Sequence, residues 1–305
     1  MGSTEAILAV ALLFILLGTS SIVWAADGNN SSSAYILKPE AKGELISFVN
    51  EAKNFVIAEG KDKALQVFND PKGKFVRGEL YIIAYDFNGT RLAHPFQPKT
   101  IGQNALNVND SNGVYHIRNM LEMAKRGGGL TYYIWPNPAH SNAQELKLTY
   151  VLKVDEGLWL AAGMYLPGQA PIVSKKARED LVAFVKKARD FALNNTKEEA
   201  LKAFNDRNGE FVIGNRYIYA YDFKGNNLAL PFEPNLIGTN LSNIQDPNGV
   251  YQVQELSDVA KRGEGFGYHI YKDPAENMTP KLKLDYVMKV NDEWFLGSGI
   301  YWPGA

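Results

Sequence analysis

The sequence predicts an α+β protein built from two copies of one domain. Each copy is a long helix followed by a five-stranded antiparallel sheet, with a loop-and-helix insertion after the second strand. Three observations lead there. The segment Glu79–Pro95 returns as Asn215–Pro231, and the offset of 136 residues between Tyr81 and Tyr217 also links Pro95 with Pro231, Gly113 with Gly249, Tyr150 with Tyr286 and Tyr165 with Tyr301. Roughly two residues in five are identical across this span, with no gap, and so long a period marks duplicated domains, because stacked repeat units run to about 20–50 residues. Secondly, Glu79–Phe87 alternates as a strand, with Tyr81, Ile83, Tyr85 and Phe87 on one face and Leu80, Ile82, Ala84 and Asp86 on the other. Thirdly, Leu45, Phe48, Val49, Ala52, Phe55 and Val56 recur at helical spacing before it.

The elements follow in order. A short second helix carries Ala64, Leu65 and Phe68 and ends towards Asn69-Asp-Pro-Lys-Gly73. Next comes a hairpin whose turn is Asn88-Gly89, with Asp86 placed to accept turn amides. Both faces of its first strand are largely apolar, so something must cover each side of the sheet. Pro95–Asn112 is too long for a mere connection. Val114–Arg126 reads as a helix stopped by Gly127-Gly-Gly129. Leu130–Trp135, Glu145–Val154 and Leu158–Leu166 are the closing strands. The second copy repeats the series: Leu181, Phe184, Ala188 and Phe191 mark its long helix, and Thr196 with Glu199 a capping box. Its last strands are Phe266–Tyr271, Lys281–Val290 and Trp294–Trp302, and Leu166-Pro-Gly-Gln-Ala-Pro171 is the boundary between the copies. The expected division is 1–26 signal peptide or anchor, 27–41 flexible leader, 42–168 first domain and 169–305 second domain. Each copy carries a full set of elements and is expected to fold by itself.

Composition narrows the function. The 305 residues are 46% hydrophobic, carry a net charge of −1 with both signs interspersed, and include no cysteine. That balance gives no footprint for nucleic acid or an anionic membrane surface. Disulfides, thiolate metal sites and cysteine nucleophiles are excluded. Ala6–Leu17 is a continuous apolar run, followed by small residues up to Ala26. This resembles an export signal cleaved near Ala25 or Ala26, although no Lys or Arg precedes the run. The alternative is an uncleaved anchor, since the 21 residues Ala6–Ala26 suffice to span ~30 Å of hydrocarbon. On either reading the remainder is exported and lies outside the cytoplasm.

Order and wording together resemble the Cache family of extracytoplasmic sensor domains, in the form of two single-Cache domains in tandem. The matching residues are Tyr81-Ile-Ile-Ala-Tyr-Asp-Phe-Asn-Gly, Leu92-Ala-His-Pro95, Ile101-Gly-Gln-Asn104, Tyr133-Ile-Trp-Pro-Asn-Pro138 and Gly297-Ser-Gly-Ile-Tyr301. The resemblance covers nearly all of both copies. It implies a PAS-like sheet with a long helix behind it and a pocket in front for a small organic molecule, in relatives often a short carboxylate. It further implies signalling through a partner chain such as a membrane receptor or kinase. A homodimer is compatible with it and is not fixed by the residues.

The aromatic face of the first strand is the expected pocket wall, with Tyr81 and Tyr85 in the first copy and Tyr217, Tyr219 and Tyr221 in the second. Tyrosine pairs an apolar ring with a hydroxyl donor, as small-molecule pockets require; the plainer reading of each is a core residue. Arg118, on the helix after the insertion, offers a fork for a carboxylate and is replaced by Gln254 in the second copy. Its plainer reading is a solvated helix arginine. His94 (Leu230 in the second copy) and Trp135 (Tyr271) border the same region, Tyr132 is a candidate neutral donor, and the second copy has His269. These differences favour the first copy as the carboxylate binder. Asp110-Ser-Asn-Gly113 and Asp246-Pro-Asn-Gly249 look like calcium-loop fragments, but Val108 and Ile244 fall where a ligand must stand. They read as turns. No metal, cofactor or catalytic residue is assigned: His94, His116, His140 and His269 are scattered, and Gly297-Ser298-Gly299 lies within a strand rather than at a nucleophile elbow. Besides a ligand-binding sensor, a structural or adhesive surface module without a ligand fits the residues.

Overall fold

The computed structural model describes residues 35–168 and 170–302, so the apolar segment and most of the leader lie outside the described residues. The first repeat runs α1 (Pro39–Glu59), α2 (Lys61–Phe68), β1 (Val76–Arg77), β2 (Leu80–Tyr81), β3 (Ile83–Tyr85), β4 (Arg91–Ala93), α3 (His116–Lys125), β5 (Gly128–Asn137), β6 (Ala143–Asp155) and β7 (Leu158–Tyr165). The second runs α4 (Lys175–Asn194), α5 (Lys197–Asn205), β8 (Val212–Ile213), β9 (Arg216–Tyr217), β10 (Tyr219–Asp222), β11 (Asn227–Ala229), α6 (Gln252–Lys261), β12 (Glu264–Asp273), β13 (Thr279–Lys289) and β14 (Trp294–Tyr301). Each repeat has a five-stranded antiparallel sheet, of order β4-β3-β7-β6-β5 and β11-β10-β14-β13-β12. Among the described residues no helix is long and apolar enough to cross a membrane.

α1 forms because Leu45, Phe48, Val49, Ala52 and Val56 make one apolar stripe, which is buried. Pro39 sits in its first turn and Gly60, at φ 83°, ends it. The stripe covers the back of the sheet with Leu80, Ile82 and Ala84, while Tyr81, Ile83, Tyr85 and Phe87 form the front cluster with α3. Each fully buried side chain of this kind contributes about 1.5–3 kcal/mol. The alternation read from the sequence therefore holds. The single strand expected over Glu79–Phe87 is instead broken at Ile82: β2 pairs with β1 in a small ribbon, and β3 joins the main sheet. Asp86 Oδ1 accepts the amides of Asn88 (2.9 Å) and Thr90 (2.8 Å) in the hairpin turn. Gly89 there has φ 80° and lies against Leu106 of the insertion, where no side chain fits. The expected capping box of α5 is present, with Glu199 and Thr196 exchanging bonds.

The insertion folds back along β4. Arg91 donates its amide to Gln103 (3.0 Å) and accepts the Gly102 amide (2.8 Å), so the loop roofs the front face. β5 and β12, the outer strands of the two sheets, meet at a seam related by approximate twofold symmetry. The Asp-x-Asn-Gly segments are turns, as expected, and they also lock this seam. Asp110 Oδ1 accepts the amides of Asn112 and Val114, and its Oδ2 accepts the Ile134 amide (3.0 Å) and the Tyr268 hydroxyl (2.9 Å). Asp246 Oδ2 accepts the Ile270 amide (3.2 Å) and the Tyr132 hydroxyl (2.7 Å) in return. The asparagine amides of Asn112 and Asn248 donate to the same two tyrosines. Both carboxylates are fully used by the fold, which leaves no lone pairs for a cation. The apolar core behind the first sheet continues across the seam into Val250, Tyr268, Ile270, Leu282 and Leu284.

Candidate functional site

On the front face of the first sheet, strand register sets Tyr133, Lys147 and Tyr165 in one row across β5, β6 and β7. Lys147 is 2% exposed. Its ammonium lies 3.9 Å from the Tyr81 ring centre and 4.5 Å from that of Tyr165, and among the described residues no carboxylate pairs with it. Burial lowers its pKa to about 7. Gly163 on β7 faces Thr149, and a Cβ there would run into Thr149 Oγ1 and stand 2.7 Å from the Leu148 carbonyl oxygen and 2.8 Å from Lys147 Cε.

Arg91 on β4 is a second buried cation. It donates from Nε to the Tyr85 hydroxyl (2.8 Å) and from Nη1 to Gln97 Oε1 (2.9 Å) and the Thr100 hydroxyl, again with no carboxylate partner among the described residues. His94 packs on Tyr81 with ring centres 5.3 Å apart. Burial, then Arg91, then Lys147 push its pKa down to about 3, so the ring is neutral and both cations face it. His116, at the start of α3, is stacked on Tyr133 at 4.5 Å, and burial pushes it likewise to about 3. Its Nδ1 is buried without a hydrogen bond. Among the described residues the front of the first repeat is thus an aromatic box holding two cations with no acid in contact with either. Glu79 attracts Lys147 only from beyond ion-pair distance.

The second repeat keeps the box and changes its charge. Lys283 is buried among the rings of Tyr217 (4.6 Å), Tyr301 (4.9 Å) and Tyr219 (5.0 Å). Asp285 stands where the first repeat has Thr149, with Oδ1 3.4 Å from the Lys283 ammonium and 3.0 Å from the Tyr219 hydroxyl, which donates to it. His269 Nδ1 lies 3.0 Å from Asp285 Oδ2. Burial pushes the Asp285 carboxyl up, but His269, Lys283 and the Tyr219 bond outweigh it and hold it below the usual carboxylate value. Burial also opposes the Lys283 charge, and Asp285 with Tyr217 more than restores it. Tyr217, Tyr219, Tyr221, Gln252, His269 and Lys283 line a partly open pocket whose internal space is about 10 Å³, room for about one water molecule.

The structure brings Tyr81, Tyr85 and His94 together, sets Trp135 at the edge against His116 and Tyr133, and gathers Tyr217, Tyr219, Tyr221 and His269 in the second box. Two predicted residues stand elsewhere. Arg118 donates from Nε to the Leu106 carbonyl (2.6 Å), bonds Asn107 and covers the Tyr115 ring. Gln254, its counterpart, bonds the equivalent Ser242 carbonyl at 2.8 Å. Both brace the insertion loop. Tyr132 faces the helix side and the seam. Sequence reasoning missed Lys147, Lys283, Arg91, His116 and Asp285. The lysines had one signal in the sequence: each stands between the same two leucines in both copies, at an inward position of a central strand.

One family profile, described as a Cache domain and of the double type (dCache_2), matches residues 46–303. The chain belongs to the Cache family. Cache domains are extracytoplasmic sensory, ligand-binding modules of membrane receptors rather than catalysts. Over 87 residues the chain is 34% identical to the sensor histidine kinase MctS of Rhizobium johnstonii (strain DSM 114642 / LMG 32736 / 3841), covering 28% of this chain and 19% of that protein. It thus spans about a fifth of the length of that curated relative. Among solved structures, a methyl-accepting chemotaxis protein from Vibrio parahaemolyticus RIMD 2210633 shares 29% identity over 42% of this chain and 84% of its own, with a TM-score of 0.34. A Cache chemosensory domain described for carboxylic acid recognition shares 26% identity over 42% of this chain and 94% of its own, with a TM-score of 0.36.

Proposed function

We propose that this Cache protein is an extracytoplasmic sensor whose first repeat binds a short organic carboxylate between Lys147 and Arg91. The observation that carries the reading is the buried Lys147 ammonium without an acidic partner. Taking an ion out of water costs several kcal/mol unless it is paired, and a ligand carboxylate is the missing partner. Arg91 adds a planar fork suited to a carboxylate, Tyr85 is already bonded to that fork, and the aromatic walls suit a short apolar tail. His94 and His116, kept neutral, add no competing charge. The apolar start of the sequence agrees with export, and a membrane receptor or kinase partner chain would carry the signal onward.

The test is a melting screen of the full chain against acetate, propionate and pyruvate, followed by affinity measurements on Lys147→Met. A ligand held only by the folded state raises stability by RT ln(1 + [L]/Kd), about 2.7 kcal/mol at a hundredfold excess. Loss of the charged partner should weaken binding ten- to hundredfold, corresponding to about 1.5–3 kcal/mol. A melt that no carboxylate raises would return the protein to the structural-module reading, and equal affinity in the variant would place the carboxylate away from Lys147.

A further inference from the structure

We propose that Asp285 is a built-in anion: in the second repeat its carboxylate takes the place that the first repeat leaves for a soluble carboxylate, and it closes that pocket to anions. Lys147 and Lys283 occupy the same register, opposite Tyr165 and Tyr301. Two residues further on, Thr149 and Asp285 each face a glycine, Gly163 and Gly299. The Asp285 side chain is completely buried and has what an anionic ligand would be given there: an ammonium at 3.4 Å, a phenol donating at 3.0 Å and an imidazole nitrogen at 3.0 Å.

The neighbouring differences between the repeats fit the same substitution of side chain for ligand. Tyr219 replaces Ile83 and reaches Asp285 across Gly297, where a Cβ would stand 2.7 Å from the tyrosine hydroxyl oxygen; the first repeat has Ala161 at that position. Arg91, the second cation of the first box, is Asn227 in the second, so one internal carboxylate meets one lysine. The space left beside them, about 10 Å³, holds about one water and no carboxylate. The inference rests on the reading of the first repeat only for the comparison, so its test silences that repeat.

Beyond Cβ the aspartate side chain is a formate group, so formate is the probe and Asp285→Ala the vacancy made for it. Both are studied in the full chain carrying Lys147→Met. The double variant should melt below Lys147→Met alone, and its melting temperature should climb with the logarithm of formate concentration. Lys147→Met alone should not respond at matched chloride, and formamide, the neutral analogue, should move neither protein. A double variant indifferent to formate overturns the proposal. Should the alanine variant fail to fold, Asp285→Asn keeps the shape and removes the charge: a lowered melt supports the proposal, and an unchanged one overturns it. Rescue by formate in a protein whose wild type binds no carboxylate would sink the reading of the first repeat and spare this one. Binding by wild type without rescue would do the reverse.

Discussion

The two boxes differ at one decisive strand position. β6 carries Lys147 followed by Thr149, and β13 carries Lys283 followed by Asp285. Around each lysine one pair of tyrosines (Tyr81 with Tyr165, Tyr217 with Tyr301) and the strand register are alike, yet among the described residues one ammonium has no carboxylate in contact and the other is paired with Asp285. The comparison teaches that a shared aromatic cage does not define a ligand site. What defines it is an unbalanced charge, which a small molecule can balance or an internal side chain can cancel.

Removing the lysines gives the largest expected contrast. Lys283→Met strands a buried carboxylate and should cost about 3–5 kcal/mol in urea unfolding, whereas Lys147→Met removes an unpaired ion and should be neutral or stabilising by about 1–4 kcal/mol. Equal losses in the two variants would erase the distinction between the boxes.

Solution pH sharpens the same contrast. Lys147 titrates near 7 when folded and near its ordinary 10.5 when unfolded. Its penalty is therefore fully present below about pH 7 and is relieved as pH rises towards 10.5. Ligand-free stability should gain from this group about 1 kcal/mol per pH unit across that window. Carboxylate affinity, which needs the charged form, should weaken above about pH 7. Both slopes should vanish in Lys147→Met and survive in Lys283→Met. Urea melts and titrations at pH 6 and pH 9 decide it; identical slopes in wild type and Lys147→Met would break the assignment.

Gly163→Ala should have an intermediate effect. A Cβ at this position runs into Thr149 Oγ1 and meets the Leu148 carbonyl oxygen at 2.7 Å and Lys147 Cε at 2.8 Å, so overpacking should cost about 1–3 kcal/mol, and displacement of the strand and its lysine should weaken carboxylate binding. Retained stability and affinity, measured together, would show that the facing glycine does not position the ammonium. Arg118→Ala should show the smallest effect. It loses a loop brace worth about 0.5–1.5 kcal/mol, as does Gln254→Ala, and neither should change carboxylate affinity. A large affinity loss confined to Arg118→Ala would restore the role that the sequence suggested for it.

Much of the fold was legible because local patterns and tertiary structure agree. The helical stripe from Leu45 to Val56, the two-sided alternation of Leu80–Tyr85, the Asp86-Phe-Asn-Gly89 turn and the Thr196 capping box all form as written. The break at Ile82 was not legible, because pairing with β1 depends on a partner that no local pattern shows. The seam was hidden for a related reason. Asp110 and Asp246 read as turn residues, and their second oxygens serve the tyrosines of the opposite copy. A repeat expressed alone would expose Tyr132 or Tyr268 and leave an aspartate short of one donor, so independent folding is a harder demand than the sequence implied. In the site, the tyrosines stood out by repetition, whereas Arg118 drew attention because it differs between copies. Gln254 bonds the equivalent loop carbonyl, so the loop brace survives that difference. The informative difference was Thr149 against Asp285, which matters only once burial is known.

The most direct test of the unbalanced charge is the stoichiometry of carboxylate binding to the full chain by isothermal titration, using the acid that raises the melt most. One molecule per chain, lost in Lys147→Met, is the predicted result. Two molecules per chain, or one that persists in Lys147→Met, would contradict it.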